Sequence, residues 1–266
     1  MVARARKLPG ELLPHGWMDA ARQLSLFVFA YVGYTLVRGL AEGSANTAFA
    51  HARDLISLER TLHLFVEPSV QAWASGSHVV IVLASWLYVN AQGPITAAAL
   101  LWLYLRRNSS FYFVRNMFVI AMFIALIGYI AFPTAPPRFL PEWGFTDPVQ
   151  RYTGANLSHG SPAMELLFNP YAAVPSMHVA FALMIGWTVS RLVRARAAAI
   201  AWSVYPFVMT FVIVVTANHF ILDAVFGAMT AGLSAYAANW LGRARPAAWR
   251  FVRVRTPVPV RLTASG

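Results

Sequence analysis

The sequence predicts an all-α fold: a polytopic membrane helical bundle with about six transmembrane helices and both termini cytoplasmic. Three observations carry that expectation. Of 266 residues, 58% are hydrophobic and only 12% are charged, against about 25% charged in soluble domains. Six stretches approach the roughly 20 apolar residues that a span needs. The basic residues gather on alternate connections between those stretches, as they do in cytoplasmic loops. No alternating ten-residue segments occur, which argues against a β-barrel. The chain has no cysteine, so disulfides, Cys-ligated zinc and thiol catalysis are excluded. A formal net charge of +11 would suggest nucleic acid in a soluble protein. Here its distribution reads as membrane topology, and no nucleic-acid partner is expected.

Residues 1–23 read as a basic cytoplasmic segment carrying Arg4, Arg6, Lys7 and Arg22. The membrane domain covers 24–241. Its spans are expected at 24–40, 78–105, 111–132, 175–193, 197–217 and 218–241. The second is broken by Gly93-Pro94 and is read as one kinked helix, because neither half is comfortably long alone. Pro206 is expected to kink the fifth. Arg106, Arg107 and Arg115 flank one turn, and Arg191, Arg194 and Arg196 fill another. The tail, 242–266, alternates Arg with Pro and is expected to be flexible and close to anionic inner-leaflet lipid. Sixteen of the 21 basic residues then lie on one side. Arg53, Arg60, Arg138 and Arg151 lie on the other, and Arg38 sits near the outer end of the first span.

Two long segments, 41–77 and 133–174, fall outside. The first has apolar residues at helical spacing from Leu55 to Phe65. It is either an amphipathic helix on the outer interface or a short helix packed on the bundle. The second is rich in Pro, Gly, Asn and Ser and reads as an ordered loop. The small-x-small pattern in 45–50 lies too far along the chain, behind too long an apolar run, for a cleaved signal peptide.

Polar groups inside the bundle carry the chemistry. Asp223 is the one acidic residue within an expected span, where a central Asp costs about 2.5–3.5 kcal/mol. It needs a partner, and His219 stands four residues before it, on the same helical face. A carboxylate there fixes the imidazole tautomer and leaves the other nitrogen free. The pair is either the base–orienter half of a catalytic site or a buried brace between helices. His178 opens the fourth span. Down one span, through a short basic turn and up the next, the chain returns to the same depth at His219. Two histidines and one carboxylate can therefore meet near the outer face. Ser176, with the free amides of its helix start, suits an anion. Arg138 offers a planar fork of donors to phosphate, and Arg151 is a second cation of the same kind.

At these residues the chain resembles the type 2 phosphatidic acid phosphatase superfamily. Its motifs are Lys-x6-Arg-Pro, Pro-Ser-Gly-His and Ser-Arg-x5-His-x3-Asp. Pro175-Ser176-Met177-His178 is similar to the second, with Met177 in place of Gly, and His219 to Asp223 to the core of the third. Val212 and Ile213 occupy the Ser-Arg positions. Lys7 is the only lysine, so the first motif is not met, and 133–138 is a loose stand-in. The Pro-Ser-Met-His form and the stretch 101–107 are similar to the inositolphosphotransferase branch, which includes fungal inositol phosphorylceramide synthase.

The resemblance implies a plasma-membrane enzyme with an extracytoplasmic site acting on a lipid phosphate or phospholipid. In it His219 is the nucleophile that becomes phosphohistidine, Asp223 orients His219, and His178 is the general acid. Ser176, Arg138 and Arg151 bind substrate. No cofactor or metal is called for, and water, inositol or another alcohol is the acceptor. Three other classes use the same residues: a metal-dependent membrane hydrolase with a His/His/Asp site, a proton-coupled transporter, and a haem protein with paired histidine ligands. The transporter is disfavoured because no comparable polar cluster is legible at the inner ends of the spans.

Overall fold

In a computed structural model, which describes residues 13–40, 43–155 and 169–245, the chain is helical, with no strands among those residues. The elements are α1 (Gly16–Leu40), α2 (Ala45–Thr61), α3 (Glu67–Ser75), α4 (His78–Asn90), α5 (Gln92–Arg106), α6 (Asn108–Ala131), α7 (Pro148–Thr153), α8 (Met177–Leu192), α9 (Arg196–Val215) and α10 (Ile221–Ala244). Four of them, α1, α6, α9 and α10, are long and apolar enough to cross a membrane. A fifth span results if α3 and α4, which meet at 116°, count as one broken span, and α8 is a shorter apolar helix. Outward faces carry large apolar side chains: Phe29 is 79% exposed and Phe207 73%. The protein is therefore membrane-embedded. The basic residues expected at 4–7 and beyond 245, and the middle of the second outer segment, lie outside the described residues.

The second expected span divides at Ala91, not at Gly93-Pro94. Pro94 has no N–H to give the Asn90 carbonyl four residues back, so the ladder breaks upstream of the proline itself. The first helix begins eight residues before its expected start. Its early turns carry Asp19 and Gln23, which hydropathy counts against a span. Both are satisfied inside the bundle. Asp19 accepts from Tyr104 (3.0 Å), Tyr112 (2.9 Å) and Gln23 (3.0 Å), and Arg115 donates to Gln23. This cluster, in which Gln23, Arg115 and Asn116 are buried, corrects the expectation that no comparable polar cluster stands at the inner ends of the spans. A layer of Phe118, Ala121, Met122, Met184 and Ile185 continues from it along α6 and α8.

The two ends of the bundle are tied separately. At the basic end, the Arg107 guanidinium donates to Leu192 O (3.1 Å), joining the α5–α6 and α8–α9 turns. At the other, Asn169 donates to Arg38 O (3.0 Å). There the backbone amides of Thr134, Ala135 and Arg138 donate to Tyr171 O, Ala48 O and Ala217 O at 2.8–3.0 Å. Helix α2 packs on the bundle: Ala48, Ala52, Leu55 and Ile56 are buried against Ala135, Leu140, Phe145 and Phe220. That settles the choice left open for this helix.

Candidate functional site

The site forms where two chain segments cross. Helix α8 opens at Met177 after the turn Val174-Pro175-Ser176, with Ser176 as N-cap. Pro175 thus directly precedes the cap. Two glycines admit this turn. A Cβ on Gly128 of α6 would lie 2.7 Å from Pro175 Cδ, and one on Gly227 of α10 would lie 2.4 Å from Ser176 O. The Ser176 amide also donates to Asp223 O (3.0 Å). The start of α8 is therefore bound directly to the first turn of α10.

Helix α9 ends at Val215 and α10 begins at Ile221. His219 lies in the break between them, not on a helix. Ala217 takes a left-handed backbone conformation there, at φ 51°, and lets the chain reverse. The His219–Asp223 pairing survives without the helical spacing that suggested it. His219 Nδ1 stands 3.2 Å from Asp223 Oδ2, and the same oxygen accepts from the Phe220 amide at 3.0 Å. His219 is 6% exposed and Asp223 fully buried.

His178 arrives as the sequence predicts. Its ring and that of His219 meet edge to face, with centroids 5.8 Å apart. Tyr88 of α4 stacks on the other side of His178 at 4.6 Å. Gln92 donates to the carbonyls of Met177 and His178 at 3.2–3.3 Å, fixing the first turn of α8. The Ser176 hydroxyl is buried without a hydrogen-bond partner.

Arg138 is clamped beside the histidines. Its backbone amide donates to Ala217 O, its guanidinium to Asn218 Oδ1, and its Nε lies 3.6 Å from Asp147 Oδ2. Burial pushes this guanidinium below its ordinary value, and Tyr88 and Asp147 act the other way. Arg151 is not part of the group. It is exposed on α7, with its guanidinium 5.4 Å from the Tyr152 ring centre.

Several residues escaped the sequence reading. Arg38 acts electrostatically on both His178 and Tyr88, and a charge at the outer end of α1 was the available signal. Asn218, beside His219, holds the Arg138 guanidinium. Tyr88 carries no spacing that would mark it. Glu59 and Glu67 are fully buried and bind the first amides of α10: Leu222 N to Glu59 (2.8 Å) and Ile221 N to Glu67 (3.0 Å). Among the described residues, no group of three His, Cys, Asp or Glu side chains is placed to hold a metal ion.

Apolar helices thus surround two facing histidines, one of them paired with a buried carboxylate, at one end of the bundle. A family model described as the PAP2 superfamily matches residues 53–237, and the chain belongs to that superfamily. It is thus a membrane protein of the phosphatase type. No curated protein and no solved structure matches the chain. The matched region holds all the residues of the site except Arg38.

Proposed function

We propose that this protein is a plasma-membrane lipid phosphatase or phosphotransferase that works through a phosphohistidine on His219 at the extracytoplasmic face. The observation that carries this reading is the meeting of His178 with the His219–Asp223 pair beside buried Arg138. With the proton held on Nδ1 by Asp223, Nε2 of His219 presents its lone pair to phosphorus. It attacks as the ester P–O bond breaks, and protonated His178 delivers its proton to the leaving oxygen. Proton transfer of this kind contributes about 10²–10⁴-fold. His178, now neutral, takes the proton of an incoming hydroxyl, which breaks the P–N bond and frees His219. Water as acceptor releases phosphate. Inositol or another alcohol gives a new phosphate ester, the outcome that the inositolphosphotransferase resemblance favours.

The charge on the phosphoryl oxygens would be met by Arg138, by Arg38 from α1, and by the Ser176 hydroxyl with the amides that open α8. Arg38 and Arg138 stand in for the missing lysine and arginine of the family pattern. A metal-dependent reading fits less well, because among the described residues no three His, Cys, Asp or Glu side chains are placed together to hold an ion.

The topology belongs to the same proposal. Six spans place both termini in the cytoplasm, with α4–α5 as one broken span and α8 as a short one. Sixteen residues of α8 reach only about 24 Å at 1.5 Å per residue, less than a hydrocarbon core of about 30 Å. The Pro175–Ser176 turn therefore sits below the outer surface. Irregular backbone is tolerated at that depth because protein surrounds it.

The test is purified protein with a panel of lipid phosphates and phosphatidylinositol, with and without myo-inositol, reading free phosphate and new phosphate esters. Absence of both products across the panel refutes the proposal.

A further inference from the structure

Three carboxyl groups converge on the first turn of α10. Asp223 takes the Phe220 amide, Glu67 that of Ile221 and Glu59 that of Leu222. Asp223 belongs to the helix itself, whereas Glu59 comes from α2 and Glu67 from α3. The second oxygens of both glutamates are buried without a hydrogen-bond partner, the first oxygens hold the amides of adjacent residues, and the two carboxyls are close enough to act on each other. Two carboxylates placed so cannot both be ionised. One proton between their free oxygens satisfies both, since a protonated carboxyl donates where an ionised one only accepts.

We infer that Glu59 and Glu67 share a single proton and serve as positioning residues: in that state they fix the N-terminal turn of α10, and with it the His219–Asp223 pair. The inference rests on the catalytic reading of His219 only for its consequence. The shared proton stands on geometry. The pair keeps one negative charge against the positive end of the helix. Losing the proton sets two charges face to face, with Asp223 as a third, and loosens the turn.

Apart from Asp223, the neighbouring charges are engaged elsewhere. On α2, Arg60 next to Glu59 lies over Phe65 and Trp143, 4.5 Å from the latter ring centre. On the overlying segment, Arg138 and Asp147 pair with each other. On α10, Asp223 is the ionisable group that faces the glutamates. Burial first, then Glu67, pushes Glu59 up to about 9.

The experiment uses full-length protein in detergent micelles, with Glu59→Gln and Glu67→Gln, which keep shape and hydrogen bonding but cannot share a proton. Infrared spectra should contain the carbonyl band of a buried protonated carboxyl at neutral pH. The band should fade as pH rises through about 9 and be missing from either variant. Nitrogen resonances of 15N-labelled histidine should register a second inflection for His219 at that same alkaline pH in the parent protein and lose it in both variants. A neutral-pH spectrum without the band, or a band unchanged in both variants, overturns the shared proton. An alkaline His219 inflection that persists in both variants overturns the positioning role. Neither readout involves turnover, so inactivity on every lipid phosphate would count against the enzymatic reading and not against the pair.

Discussion

Replacing Gly227 with alanine tests whether the crossing of α8 and α10 creates the site. The added methyl would lie 2.4 Å from Ser176 O and 3.3 Å from Val179 Cβ. An ordinary carbon–oxygen contact is about 3.3 Å, so the turn must retreat by about 0.9 Å. It cannot do so freely, because Gly128 holds Pro175 from the other side and the Ser176 amide is bonded to Asp223 O. Overpacking of this kind costs about 1–3 kcal/mol, and exchanging glycine for alanine within a helix returns about 1 kcal/mol. The net loss of stability should therefore stay below about 2 kcal/mol. The displacement, however, moves His178 relative to His219, and a misplacement near 1 Å can cost about 10²-fold in rate. The assay pairs thermal unfolding in micelles with hydrolysis of dioctanoyl phosphatidic acid. Gly232→Ala is the control, because nothing lies within 4 Å of its added methyl; it should be as active as the parent and slightly more stable. If Gly227→Ala retains parental turnover, the argument that this crossing sets the histidine geometry is wrong.

Four further outcomes are expected. His219→Ala should abolish turnover, and the parent enzyme should give a labelled protein that survives alkaline but not acid quench; activity that EDTA removes and zinc restores would refute the phosphohistidine. His178→Ala should lose about 10²–10⁴-fold on lipid esters and much less on p-nitrophenyl phosphate, whose leaving group needs no proton; equal losses on both would deny it the acid role. Asp223→Asn should fold and lose most activity, whereas unfolding, from a buried-pair penalty of about 3–5 kcal/mol, would make Asp223 a brace. In a chain with no native cysteine, exposed Glu142→Cys should react with an impermeant thiol reagent on intact cells and exposed Arg194→Cys should not; the reverse pattern inverts the topology.

What the sequence revealed depended on how far apart in the chain the cause lay. His178, His219 and Asp223 were legible because each stands at a span start, and a buried carboxylate demands a partner close by. The helices of the bundle were legible from hydropathy, apart from ends set by other elements. Helix α1 starts early because tyrosines of α5 and α6 satisfy Asp19, and no window over α1 contains them. Arg138 and Arg151 looked alike as loop cations. They differ because the Arg138 backbone is bonded to the α9–α10 break, whereas Arg151 lies on the exposed side of a short helix whose Pro148 and Val149 are the buried residues. Glu59 and Glu67 were the least legible. In an amphipathic outer segment a glutamate normally faces water, and the amides that bury these two belong to residues more than 150 positions later.

Two helix N-termini meet at this site, and the structure treats them differently. Either could attract an anion through its free amides. At α10, Asp223, Glu67 and Glu59 occupy the first three amides, so a phosphate would find carboxylates there instead of donors. At α8 the N-cap serine makes no side-chain capping bond, and its hydroxyl has no partner. The carboxyls that anchor α10 thereby close the competing seat, leaving the start of α8, beside Arg138 and His178, as the one that suits the phosphoryl group of the proposed reaction. Within this division of labour, Ser176 can be read apart from His178 and His219. Ser176→Ala should leave stability nearly unchanged, although losing an engaged N-cap serine costs about 0.5–2 kcal/mol. The same substitution should raise KM for a lipid phosphate and weaken vanadate inhibition together. A clear drop in thermal stability with both binding constants intact would mean that Ser176 caps α8 and does not face the phosphate.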